Sequence, residues 1–229
     1  MASTFLNLCN QTLRRLNEVE ISVADFATVA GVQALAKDAV KATVAQINQE
    51  SFEWPFNASS TTQVLTAGTS EYSWPTTLKT VDWNSFQIQE NSTLGSSFKI
   101  LKFIERDEWY RNHRDNDSTA GSAGRGIPDF VFPSHGSGFG VSQSPNAAYS
   151  VVYKLYLNYT DITNSGDTTR IPEAFDSVLV SGALYHMYLF KDNIESAQAA
   201  FLSFKEGLKN LQTLYINNYA SITDTRIKF

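Results

Sequence analysis

A chain of 229 residues with 42% hydrophobic and 18% charged residues has the composition of a folded globular protein, long enough for one large domain or two small ones. Its net charge of −5 and pI near 5.2 argue against a general nucleic-acid binder, which is ordinarily basic. The single cysteine, Cys9, excludes an internal disulfide, and no apolar run is long enough for a membrane helix, so no membrane association is expected.

Phe5, Leu8, Cys9, Leu13 and Leu16 predict an amphipathic helix from about Thr4 to Asn17, with Arg14 and Arg15 at the end where cations suit the helix dipole. Cys9 lies on its apolar side and reads as a small core residue. The first sixteen residues run from polar to basic, the reverse of a signal peptide. A connection follows, in which Ser22 and Asp25 have the spacing of a capping box. Val32, Ala36, Val40, Val44 and Ile47 then line one face of a long helix, predicted over Gly31–Phe56. Pro55 disfavours helical geometry at Trp54, so Trp54 is placed near the helix end. Trp54 and Phe56 are expected in the core there.

From Ala58 the helical period is lost and short strand patterns take over. Strands are predicted at Thr61–Thr66, Glu71–Trp74, Val81–Gln89, Ser97–Ile104, Asp129–Phe132, Gly138–Ser142 and Tyr149–Tyr159. The spacing of Val81, Trp83, Phe86 and Ile88 predicts a bulge. Glu105–His113 reads as a short exposed helix, and residues 115–126 as a small polar loop.

Helical period returns after Pro172, a residue tolerated in a first helical turn, with Phe175, Val178, Leu179, Gly182, His186 and Leu189 on the inner face. Asp192 and Glu195 have capping-box spacing and predict a second helix after a tight turn. Ala197, Phe201, Phe204, Leu208, Leu211 and Tyr215 step in a heptad rhythm, predicting a helix that packs antiparallel on its neighbour and ends near Tyr219. Phe201, Phe204, Leu208 and Leu211 are the expected core residues of that helix. The expected fold is α+β: an antiparallel helical bundle, residues 1–57 and 171–229, interrupted by an inserted antiparallel β-sandwich-like domain, residues 58–170.

Catalytic signals are sparse. His113, His135 and His186 have no metal-ligand spacing, and the glycine-rich stretches Gly121–Gly126 and Gly136–Gly140 match no phosphate cradle, so no cofactor, metal or catalytic residue is assigned. His186 reads as a core histidine with its hydrogen bonds met. Glu105, Asp107 and Glu108 are the carboxylates a glycosidase reading would use. Trp74, Trp83 and Trp109 read first as sheet core and interface, and are the rings that a carbohydrate- or receptor-binding module of a tail would stack on sugars. The 13% aromatic content fits extensive protein contacts equally well.

The ordered motifs Phe52-Glu-Trp-Pro-Phe56, Gly68-Thr-Ser-Glu-Tyr-Ser-Trp-Pro75, Gly126-Ile-Pro-Asp-Phe130, Ser144-Pro-Asn-Ala-Ala-Tyr149 running into the last strand, and Ile171-Pro-Glu-Ala-Phe175 span nearly the whole chain. In this order the chain resembles the head-to-tail adaptors of tailed bacteriophages, the tail tubular protein A-like family. The resemblance implies a non-enzymatic virion protein of the neck or tail, assembled in the host cytoplasm. It implies a homo-oligomeric ring, a dodecamer, that joins the portal protein to nozzle or tail proteins and lines a channel through which DNA passes without tight binding. It also implies that the C-terminal segment, with Ile222, Arg226, Ile227, Lys228 and Phe229, grips the portal.

Overall fold

The Thr4 hydroxyl accepts a hydrogen bond from the Asn7 N–H and starts α1 (Phe5–Arg15), the N-cap role for which threonine is favoured. The computed structural model describes residues 3–50, 53–89, 97–115, 124–159 and 161–223, with side chains as far as residue 215. The chain is α+β, and its contacts divide it into two compact units, Met1–Asn57 with Tyr159–Phe229 and Ala58–Asn158.

The first unit is helical. α1 is followed by a turn in which the Ser22 hydroxyl accepts from the Asp25 N–H, half of a capping box, and donates to the Asp25 carboxylate instead of leaving it to the Ser22 N–H, without a helix after them. The long helix, α2, runs over Val32–Gln49 and is shorter than expected. Glu50 is already extended (φ −52°, ψ 147°), and Pro55 opens only a 3-10 turn, Pro55–Asn57. Residues 159–170, expected in the β insertion, lie instead with the helices. The Phe5 N–H donates to Asp167 O (2.7 Å), Thr4 bridges Thr168, and Ile162 and Ile171 enter the helical core.

Pro172 leads into a 3-10 turn, Glu173–Phe175, and α4 (Asp176–Phe190) follows. Val178, Leu179, Val180, Gly182, Ala183, Leu184 and Met187 are buried, so α4 is apolar around most of its circumference. Such a helix must be covered on several sides, and α1, α2 and the last helix, α5 (Ile194–Thr223), all pack on it. Leu189, expected on the inner face, is exposed. The turn between α4 and α5 is built differently from the expected box. Asp192 takes a left-handed conformation (φ 53°) and closes α4, and the Asn193 side chain, rather than Asp192, accepts from the Ser196 N–H (3.1 Å) and caps α5.

α5 also extends past its expected end near Tyr219, through Ser221 and Ile222 to Thr223. The heptad rhythm reports which side chains are covered, whereas backbone helix needs only the absence of a breaker, and neither Gly nor Pro occurs after Gly207.

The second unit is built of two sheets. One holds β1 (Ala58–Val64), β3 (Leu78–Val81), β4 (Gln87–Gln89), β5 (Phe98–Ile100) and β9 (Ser150–Leu157). The other holds β2 (Glu71–Ser73), β6 (Lys102–Phe103), β7 (Phe130–Pro133) and β8 (Gly138–Ser142). Three strand expectations change. Val81–Gln89 is divided by a 3-10 turn, Trp83–Ser85, and not by a bulge, because the Asp82 carboxylate accepts from the Asn84 N–H and its carbonyl from Ser85. Ser97–Ile104 is two strands in different sheets, parted at buried Leu101. The described strands pair antiparallel except β6 with β7, which are parallel; α3 (Arg106–Asn112) lies in the crossover that parallel strands need. Val131, Phe139 and Val141 of one sheet share a single apolar cluster with Phe86, Ile88, Val151, Tyr153 and Leu155 of the other.

Gly182 is the closest approach within the helical unit. A Cβ there would lie 2.4 Å from Thr43 Cγ2 of α2 and 3.0 Å from Phe204 Cδ2 of α5. Gly182→Val should therefore destabilise the protein by about 1–3 kcal/mol through overpacking, more than the fraction of a kcal/mol that helix propensity returns. Gly166→Ala, where nothing lies within 4 Å, should stay within about 0.5 kcal/mol. Urea unfolding of the two variants measures the difference.

Candidate assembly surfaces

The chain turns back on itself after α2, and Trp54 makes the turn possible. Its indole N–H donates to the Ile47 carbonyl (2.8 Å), one of the acceptors a helix leaves unsatisfied in its last turn. Asn48 and Asn57 complete the seal: the Asn48 amide donates to Val44 O (2.8 Å) and the Asn57 amide to Asn48 Oδ1 (2.7 Å). Trp54 is fully buried and stacks on Phe56 (5.4 Å), and Tyr215 of α5 meets both rings edge-on. Phe56, expected in the core, is only partly buried against this cluster.

Along α5, Phe204, Leu208 and Leu211 are buried, and Phe201 is partly buried against Tyr185 (4.9 Å) with Lys205 over its ring. Ile222 belongs to the last turns of α5, while Arg226, Ile227, Lys228 and Phe229 lie outside the described residues.

The residues weighed for chemistry do not converge. Asp107 and Glu108 occupy the first turn of α3, where the helix dipole favours acids, and Glu105 is its N-cap residue. The helix is not solvated all round, since Trp109 is buried and stacks on Phe132 at 4.4 Å. Trp74 and Trp83 are partly buried among Phe86, Phe139, Tyr153 and Phe103, so the rings considered for sugar stacking pack on one another. His135 meets the Tyr110 hydroxyl (2.9 Å), and His113 lies against Phe130. Among the described residues, no group of three His, Cys, Asp or Glu could hold a metal ion.

Burial pushes the Cys9 thiol up to about 12, so it stays protonated and inert. His186 is half-buried, and burial lowers its affinity for a proton. Its Nε2 is buried without a hydrogen-bond partner, contrary to the expectation of a core histidine with its bonds met. His186 lines a cavity of about 210 Å³ between α2 and α4 with Leu35, Asp38, Ala39, Ala42, Met187 and Phe190.

What sequence reading missed is apolar surface. Val19, Leu189, Phe190 and Ile194 are exposed on the helical unit, and Val64, Phe98, Ile100 and Phe103 on the β unit. The signal was present as apolar residues that fall outside the helical faces or on the unneeded side of a strand.

Removing the Trp54 ring tests the seal at the end of α2. Trp54→Ala should cost about 3–5 kcal/mol, as for other buried aromatics. Trp54→Phe should cost less but still about 1–3 kcal/mol, because Ile47 O loses its donor in a dry site. Chemical denaturation of both variants, with the slope unchanged, separates the two contributions.

Among the described residues, the aromatic rings pack mostly on one another, and apolar side chains are exposed on both units. No curated protein matches the chain. A family model described as the SU10 adaptor protein matches residues 3–224. The match spans nearly all of the sequence, and the chain belongs to the SU10 adaptor protein family, a family of bacteriophage head-to-tail adaptors.

Proposed function

We propose that this protein is the structural adaptor that joins the portal of a tailed phage to its nozzle or tail, as a ring of twelve copies surrounding the DNA channel. The observation that carries this reading is the family match over residues 3–224. Family membership supports a virion component with a structural rather than an enzymatic role, and ring assembly would account for its exposed apolar residues. A closed ring uses two different patches on each copy, because head-to-tail contacts close only by rotation. Apolar residues exposed on two separate units suit that requirement. Within the helical unit, α4 and α5 act as the rigid frame of an antiparallel bundle, and the two sheets act as a sandwich carrying the second contact surface.

The C-terminal segment is proposed to grip the portal. Ile222 stands on the last turns of α5, and Arg226, Ile227, Lys228 and Phe229 combine apolar and cationic groups on a short stretch. Such a segment gains burial only against a partner. Mixing purified portal with full-length protein or with protein lacking Ile222–Phe229 tests both levels of the proposal. Full-length protein should co-sediment with portal as a ring whose mass corresponds to twelve copies. The truncated protein should fold but attach more weakly. Equal recovery of the two forms would remove the tail from the grip, and a portal complex without a closed ring would refute the ring.

The net charge of −5 suits a channel that DNA must traverse freely, since affinity for duplex comes from neutralised phosphates. The free protein should bind duplex DNA only weakly, with a Kd above about 1 μM near 150 mM salt. Tighter binding in a fluorescence-anisotropy titration would contradict a passive channel wall.

A further inference from the structure

One end of the helical unit is apolar and acidic. Phe190 (61% exposed), Ile194 (65%) and Leu189 (44%) surround the turn between α4 and α5. The Glu18–Lys191 ion pair (2.6 Å) brings exposed Val19 to the same end. Phe190 also forms a wall of the 210 Å³ cavity, in which Asp38 is exposed and His186 Nε2 has no partner. Asp192 and Glu195 add negative charge beside the turn.

The β unit carries the complementary surface. Residues paired directly across neighbouring strands point to the same face of a sheet. The register places Val64, Ser150, Gln89 and Phe98 in one row and Thr62, Val152, Gln87 and Ile100 in the next. The buried residues Val151, Tyr153 and Ile88 occupy the opposite face, so these rows form the outer one. Neither row holds a charged side chain, and Val64 (57%), Phe98 (52%) and Ile100 (63%) are exposed. Lys154 stands one row further along the same face, and Lys102 follows two residues after Ile100, on β6 of the other sheet.

We infer that the Phe190 end of one copy docks on the outer β5 face of the next copy, making the heterologous contact of the ring. This rests on the adaptor reading, and it deepens that reading by naming the two patches. Two features select a second copy as the occupant. The patches differ from each other, as a heterologous contact requires and a two-fold contact does not. Their charges are also opposite, acidic at Asp38, Asp192 and Glu195 and basic at Lys154 and Lys102, which steers one patch toward the other and away from itself. Apolar rings and branched side chains at the centre with charges at the rim match the anatomy of a specific interface.

Single-cysteine cross-linking reads this contact directly, because native Cys9 is buried and its thiol inert. Phe190→Cys and Ile100→Cys subunits are mixed in equal amounts before assembly, with each variant also assembled alone as a control, and treated with a short bis-maleimide, in solution and on the portal. Cross-linked dimer in the mixture, with only monomer from either variant alone, is the expected result. Dimer from Phe190→Cys or Ile100→Cys alone would show like patches meeting and overturn the proposal. A closed wild-type ring by native mass spectrometry with no cross-link in the mixture would overturn the pairing while leaving the adaptor reading intact. Wild-type protein that forms no ring even on the portal would overturn that reading, and this proposal with it.

Discussion

α4 can turn only a narrow part of its circumference to water. Its buried residues include Val178, Leu179, Val180, Ala183, Leu184 and Met187, which succeed one another around the helix. A helix of that composition is stable only when other elements enclose it. α1 and α2 come before it in the chain, α5 after it, and all three pack on it. The helical core therefore cannot close until residues on both sides of the β unit have come together. Gly182 and Gly207 set how tightly it closes, since each admits a neighbouring side chain, Thr43 and Phe204 at one and Val178 at the other, where a Cβ would intrude.

That enclosure explains the arrangements at the helix ends. A helix leaves its last carbonyls unsatisfied, and burial makes that costly. α2 ends inside the unit, where the Trp54 indole N–H serves the Ile47 carbonyl and the Asn57 amide pairs with the buried Asn48 side chain beside it. α4 ends at a tight turn, where Asp192 takes the left-handed conformation so that α5 can return along it. The strain of a non-glycine residue there is small for aspartate, whose short polar side chain tolerates that region.

The β unit obeys a different constraint, the alternation of side chains along a strand. β9 shows it plainly: Val151, Tyr153 and Leu155 are buried, and Ser150, Val152, Lys154 and Tyr156 between them are not. Because β1, β4 and, through β4, β5 are in register with β9, that alternation propagates across the sheet. It leaves Phe98 and Ile100 on the outside although both are apolar. Folding of the single chain gives no reason for two such residues at an edge strand, where exposed apolar side chains invite unwanted pairing.

Periodicity in the sequence determined the α+β class, the inner faces of α1, α2 and α5, and the place of Phe204, Leu208 and Leu211 in the core. Each of these depends on neighbours two to four residues apart, so the pattern is written locally. The ordered motifs also carried the family, since they span the chain. Tertiary structure alone decided that α2 stops at Gln49, that Trp54 folds back on Ile47, that Leu101 marks a switch between sheets, and that residues 159–170 join the helices. It also decided that Phe190 and Ile100 stand exposed. These outcomes depend on pairs far apart in sequence, such as Thr4 with Thr168 or Asp82 with Lys154. No local period records which distant partner competes best for a hydrogen bond or an apolar face, because that choice is made only when the whole chain is packed.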